Sequence, residues 1–252
     1  YDQNWLPGAL FGTLHEAGHG MYDQGLRTQW YGLPPGTFVS LGIHESQSRL
    51  WENQVGRSLE FWQWCFDDAR RILGSSLNGV DLESFHFAVN NVRPSFIRVE
   101  ADEATYNLHI MIRFELEQQM IDGDLNVDRL PDAWADLYQQ YLGITPDRPA
   151  DGVLQDIHWS AGLMGYFPTY TLGNLSAAQL FDAAGRAIED LPRQIARGQF
   201  APLLEWLQTN VHAPGRNLSP DELIQQATGS ALSHDCLLRH LREKYHRLYQ
   251  LT

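Results

Sequence analysis

His15-Glu16-Ala17-Gly18-His19 constrains this chain more than any other five residues in it. Its two histidines stand four apart. On a helix they lie one turn above each other, and both imidazoles reach a single metal ion. Glu16 lies between them and faces the open side of that ion, where it can act as general base toward a water. This is the layout of a zinc hydrolase, and it requires a helix over these residues. The competing reading is an ordinary helix carrying two half-buried histidines, so a third ligand has to be found.

Catalytic zinc usually takes three protein ligands and leaves one position open. His44-Glu45-Ser46-Gln47 begins a second helical pattern, with Glu45 lying 26 residues after His19. The segment between carries Gly25, Gly32, Pro34, Pro35 and Gly36, turn chemistry that can bring one helix back across another. Glu45 is therefore expected as third ligand. Its rival reading is a solvated acid favoured by a helix N-terminus.

The remaining pattern is helical almost throughout. Apolar spacing expects helices over residues 6–24, 43–73, 81–90, 96–122, 128–142, 176–197, 200–211 and 233–249. Ser219-Pro220-Asp221-Glu222 reads as a capping box opening one more. Residues 143–152, with Pro146, Pro149 and Gly152, form the clearest long loop. The expected class is all-α, with at most a short edge strand over 35–42. Trp51, Trp62, Trp64 and Trp134 read as core aromatics, and His234, His240 and His246 as solvated.

A chain of 252 residues can bury one substantial core, with room for a smaller lobe, so residues 1–252 are expected as a single helical domain. The formal net charge of −13, with no basic patch, argues against a nucleic-acid partner. No apolar run reaches membrane-spanning length and no signal-peptide pattern opens the chain, so no membrane partner is expected. Cys65 and Cys236 are isolated and read as reduced thiols of a cytoplasmic protein.

Four ordered blocks then carry a family resemblance. They are His15-Glu16-Ala17-Gly18-His19, His44-Glu45-Ser46-Gln47, Ile97-Arg98-Val99-Glu100-Ala101-Asp102 and Gly152-Val153-Leu154-Gln155-Asp156-Ile157-His158-Trp159. Together they resemble the carboxypeptidase Taq (M32) family of metallocarboxypeptidases, whose patterns H-E-x-x-H, H-E-S/G-Q, I/V-R-x-x-A-D and G-x-x-Q-D-x-H-W they match without a mismatch. The resemblance implies a multi-helix, zincin-like catalytic fold of the gluzincin type, and a peptide hydrolase that removes C-terminal residues. It implies zinc on His15, His19 and Glu45, with cobalt or another divalent ion as alternative occupant. Peptide substrates and a homodimer follow from the same resemblance.

Roles for the remaining blocks are expectations built on it. His158 and, eight residues on, Tyr166 would stabilise the oxyanion, a spacing similar to the histidine and tyrosine of helical zinc dipeptidases; Tyr170 is the alternative phenol. Arg98 is expected to bind the substrate's terminal carboxylate through its planar fork, against a rival reading as a helical ion pair with Asp102. Gln155 and Asp156 would position substrate or orient a histidine. The usual acid three or four residues after Glu45 is replaced by Ser48 and Arg49, which leaves Glu52 or Asp156 to back a metal-ligating histidine. His44 is expected to support the site rather than bind metal; Ser46 and Gln47 have no assigned role.

The family's upstream motifs H-P-F and D-x-R-x-T do not occur here, so the chain reads as the C-terminal half of such an enzyme. That leaves two further readings. One is a helical zinc endopeptidase or dipeptidyl carboxypeptidase with the same metal set; the other is a metal-binding but inactive fragment.

Overall fold

The computed structural model describes residues 5–251. It is built from helices α1 (Leu6–Gly25), α2 (Leu41–Arg49), α3 (Leu59–Leu73), α4 (Leu82–Val89), α5 (Tyr106–Asp122), α6 (Leu130–Leu142), α7 (Pro168–Ala187), α8 (Leu191–Ile195), α9 (Ala201–Leu207), α10 (Pro220–Thr228) and α11 (Asp235–Tyr249). Two π-helical turns, Leu50–Val55 and Gln208–His212, continue α2 and α9. Among the described residues there is no strand. The stretch expected as a possible edge strand contains instead a 3₁₀ turn at Pro34–Gly36. It is followed by Ser40, which caps α2 by accepting a hydrogen bond from the Ile43 amide. Nor is any described helix long and apolar enough to cross a membrane.

The described residues form two compact units. One contains the chain up to Val89 and from Leu172 onward; the other is Asn90–Thr171. The larger unit packs Phe11, Tyr22, Ile43, Trp51, Trp62, Leu180, Leu203, Leu207 and Leu223 into one core. The helix expected to run unbroken from 43 to 73 is interrupted there. The π turn ends at Gly56, and Ser58 restarts the chain as the N-cap of α3, accepting from the Phe61 amide. Gly56 suits this break, since a Cβ there would lie 2.5 Å from a methyl carbon of Leu14.

In the smaller unit Ile112 and Leu116 of α5 pack with Trp134, Tyr138 and Leu142 of α6. The helix expected from residue 96 starts only at Tyr106. Asp102 explains the delay. Its carboxylate accepts from the amides of Ala104, Thr105 and Arg93 and from the Thr105 hydroxyl, which folds residues 93–105 into a capped loop. Arg98 therefore does not share a helix face with Asp102. Beneath that loop Arg113, fully buried, donates to Asp156 Oδ2 at 2.6 Å and to Gln155 Oε1 at 2.8 Å. The Tyr138 hydroxyl donates to the Phe96 carbonyl and lies 3.0 Å from His109 Nδ1.

Three buried imidazoles are held neutral. Burial lowers the pKa of His212 and His86 to about 4 and that of His109 to about 3, with Lys244 and Arg247 adding to the effect at His86 and Arg113 and Arg98 at His109. These folded values lie below the ordinary histidine value, so the unfolded chain binds the extra protons. Their contribution to stability is complete above about pH 6.5 and is lost as pH falls toward 4. Urea unfolding at pH 7 and pH 5 should show the loss, and His212→Gln should reduce its pH dependence.

Candidate metal centre

α1 and α2 cross with their backbones almost in contact, and Gly18 permits it. A Cβ at that position would sit 2.6 Å from both the Gln47 carbonyl oxygen and the Ser48 Cα. The contact sets α2 against the face of α1 that carries His15 and His19. Glu45, only 6 % exposed, places its Oε2 3.8 Å from His15 Nε2 and 3.5 Å from His19 Nε2. Ligand atoms of these three residues all lie within 4.8 Å of one another. Ligands about 2.1 Å from a tetrahedral ion stand roughly 3.4 Å apart, so the set fits a divalent metal. A second glycine makes room: a Cβ on Gly173 of α7 would lie 2.5 Å from Glu45 Cγ.

Each histidine is held from behind, which leaves its Nε2 facing Glu45. His15 Nδ1 lies 3.0 Å from Glu52 Oε2. His19 Nδ1 lies 2.6 Å from His44 Nδ1, and His44 Nε2 is in turn 3.2 Å from Asp23 Oδ1. Arg49 spans the two carboxylates, donating to Glu52 Oε2 at 3.0 Å and standing 3.3 Å from Glu45 Oε1. Of the two acids that could back a ligating histidine, Glu52 does so here. Asp156 pairs instead with Arg98 and Arg113.

The electrostatics follow from this packing. Burial pushes the Glu52 carboxyl up, but Arg49, the His15 hydrogen bond and Arg57 outweigh it and bring the pKa to about 2. At Glu45 burial is likewise outweighed, by His19, Arg49 and His15, and the carboxyl stays below its usual range. For His19, burial favours the neutral ring, yet the Glu45 contacts raise its pKa overall. Two carboxylates thus remain ionised in a largely dry site, the condition for a cation-binding centre. Glu16 is exposed on α1.

Ser46 and Gln47, left without a role by the sequence, dock the helix. Ser46 donates to the Ile43 carbonyl, Gln47 Nε2 donates to Ser46, and Gln47 Oε1 lies 3.0 Å from Nε2 of the buried His212. His212 also packs under α1, where a Cβ on Gly25 would strike its ring at 2.2 Å.

The other candidate residues lie together in the smaller unit. Arg98 is 5 % exposed, and its guanidinium donates to Asp156 Oδ1 through Nε and Nη2 and to the Tyr106 hydroxyl through Nη1. So placed, its fork is already occupied. Gln155 accepts from the Arg98 amide and donates to the Phe96 carbonyl. His158 Nε2 lies 2.9 Å from the Tyr170 hydroxyl, and its ring is 5.2 Å from that of Tyr166. Burial, with Arg98 next, keeps the His158 imidazole neutral.

The description "Carboxypeptidase Taq (M32) metallopeptidase" matches residues 1–245. The chain belongs to this family. It is 52 % identical over 249 residues to thermostable carboxypeptidase 1 of Thermus thermophilus, covering 99 % of this chain and 49 % of that protein. It is 42 % identical over 254 residues to carboxypeptidase 1 of Bacillus subtilis, covering 100 % of this chain and 50 % of that one. The crystal structure of the M32 carboxypeptidase from Deinococcus radiodurans R1 superposes with a TM-score of 0.96 at 47 % identity, over 100 % of this chain and 51 % of that one. The chain thus spans about half the length of the M32 relatives it matches.

The two glycine contacts make a prediction. Gly173→Ala should drive Glu45 from its place and weaken metal binding by roughly ten-fold or more while leaving the helix content unchanged. Gly18→Val should separate α1 from α2 and lower the unfolding midpoint as well. Chelator competition and circular dichroism distinguish the two outcomes.

Proposed function

We propose that this chain is the metal-bearing part of a zinc carboxypeptidase that hydrolyses C-terminal residues from peptides. The observation that carries the reading is the convergence of His15, His19 and Glu45 on one point in a member of a metallopeptidase family. Two imidazoles and a carboxylate at these distances suit zinc; cobalt would occupy the same donor set. When bound, the ion supplies Lewis acidity toward water and toward the scissile carbonyl.

The chain's own residues then have definable tasks. Glu16 takes a proton from the attacking water and passes it to the departing amine, which keeps the proton count balanced. His158 and Tyr166 are assigned to hydrogen-bond the carbonyl oxygen as negative charge develops on it. A neutral imidazole keeps one N–H to donate, and the Tyr170 hydroxyl, 2.9 Å from Nε2, fixes the His158 ring. Arg98 was expected to bind the substrate carboxylate directly. Its buried pairing with Asp156 supports a different task, that of positioning the neighbouring recognition residues. The guanidinium carbon lies 4.6 Å from the centre of the Tyr170 ring, so the arginine braces that phenol. Gln155, bonded on both sides, stiffens the same turn.

The cytoplasm is the setting we infer, because Cys65 and Cys236 are both free thiols. The family resemblance supports a homodimer as the working form.

Metal content and hydrolysis of a blocked dipeptide, measured in parallel, test the reading. Glu16→Gln should keep its zinc and lose roughly 10²- to 10⁴-fold in rate. Glu45→Ala should lose the zinc itself. Full zinc retention by Glu45→Ala would refute the ligand set, and zinc uptake without hydrolysis by the parent would refute a self-sufficient catalytic chain.

A further inference from the structure

Helix periodicity alone would keep Arg57 away from Glu52. Residues five apart on an α-helix point about 140° away from each other. Between these two the backbone is not α-helical: Leu50–Val55 is a π turn, closed by an i→i+5 hydrogen bond from the Gly56 amide to the Trp51 carbonyl at 2.9 Å. That spacing returns Arg57 to the face of Glu52, where its Nη2 stands 3.6 Å from Glu52 Oε1. Arg49, three residues before Glu52, reaches Oε2 at 3.0 Å from the other side. The same Oε2 lies 3.0 Å from His15 Nδ1. Arg57 is itself anchored, donating to the Val89 carbonyl at 2.8 Å and lying 3.9 Å over the Phe11 ring. Phe11 is one turn before His15 on α1, so the arginine touches the metal-bearing helix as well as the acid behind its first ligand.

We propose that the π turn Leu50–Val55 is a positioning device for the metal centre, with Arg57 and Arg49 as positioning residues that clamp Glu52 where it orients His15. This inference rests on the metal-centre reading above. A carboxylate behind a ligating histidine fixes its tautomer and ring orientation and raises its basicity. Arg49 on Oε2 and Arg57 beside Oε1 fix both oxygens of that carboxylate. Arg49 also stands against Glu45, so two of the three ligands are braced through one side chain. The turn thus has a cause beyond packing: an α-helical continuation would leave Glu52 with one cation instead of two.

The test compares the parent chain with Glu52→Gln, Arg57→Gln and Arg57→Lys. Zinc dissociation constants come from chelator competition, and the visible spectrum of the cobalt-loaded protein reports ligand geometry. Urea unfolding of the metal-free chains separates positioning from folding. Glu52→Gln should bind zinc roughly 10- to 100-fold more weakly and shift the cobalt bands. Arg57→Gln should weaken zinc binding and shift the cobalt bands to a smaller degree, whatever the fall in its metal-free unfolding midpoint, and Arg57→Lys should restore binding to within two-fold. If Glu52→Gln fails to fold without metal, Arg57→Gln decides. Zinc uptake by the parent with affinity unchanged in Arg57→Gln overturns this inference alone. No uptake by the parent overturns the metal-centre reading along with it.

Discussion

The contact between α1 and α2 at Gly18 governs the rest of the site. Where two helices meet with side chains between them, their axes stand 8–10 Å apart. Here the absence of a Cβ lets the Gln47 carbonyl and the Ser48 backbone press against α1 directly. The ligand on α2 is short, and a glutamate reaches two imidazoles on a neighbouring helix only if the backbones are close. Gly173 on α7 repeats the device against Glu45 itself, where a Cβ would lie 2.5 Å from Cγ. The glycine within the metal motif is therefore a packing requirement.

Charge, once buried there, has to be balanced, and the chain does so within a short stretch. Glu45, Arg49 and Glu52 follow one another along α2 and its π-helical continuation, with Arg57 just past its end, alternating in sign. Two acids and two guanidiniums stand against one another in that stretch. The second histidine is backed differently. His19 leans on an imidazole, His44, which leans on Asp23 near the surface. One ligand is thus braced by a buried ionised acid and the other through a relay that ends near solvent.

Much of this was legible in the sequence because it follows helical periodicity. His15 and His19 at i and i+4 fix a face, and the turn residues between 25 and 36 return the chain to it. Glu52 and Asp156 read as the two acids able to back a histidine, and Glu52 is the one that lies beside His15. Asp23, four residues beyond His19, carried the same signal and was missed. What escaped was non-periodic. The π turn breaks a helix that reads as continuous. Asp102 folds a capped loop where apolar spacing suggests a helix from residue 96, and this moved Arg98 from a helix surface into a buried pair with Asp156, 58 residues away. Gly173 is invisible to any local rule, because its reason lies on another helix.

The central claim is that one ion is held by His15, His19 and Glu45. Its most direct test is a crystal structure of the zinc-loaded chain with anomalous data collected at the zinc edge. The account predicts a single strong peak bonded to Nε2 of both histidines and to the Glu45 carboxylate, with His15 Nδ1 on Glu52 and His44 outside the coordination sphere. A peak ligated by His44, or one lying away from these three side chains, would contradict it.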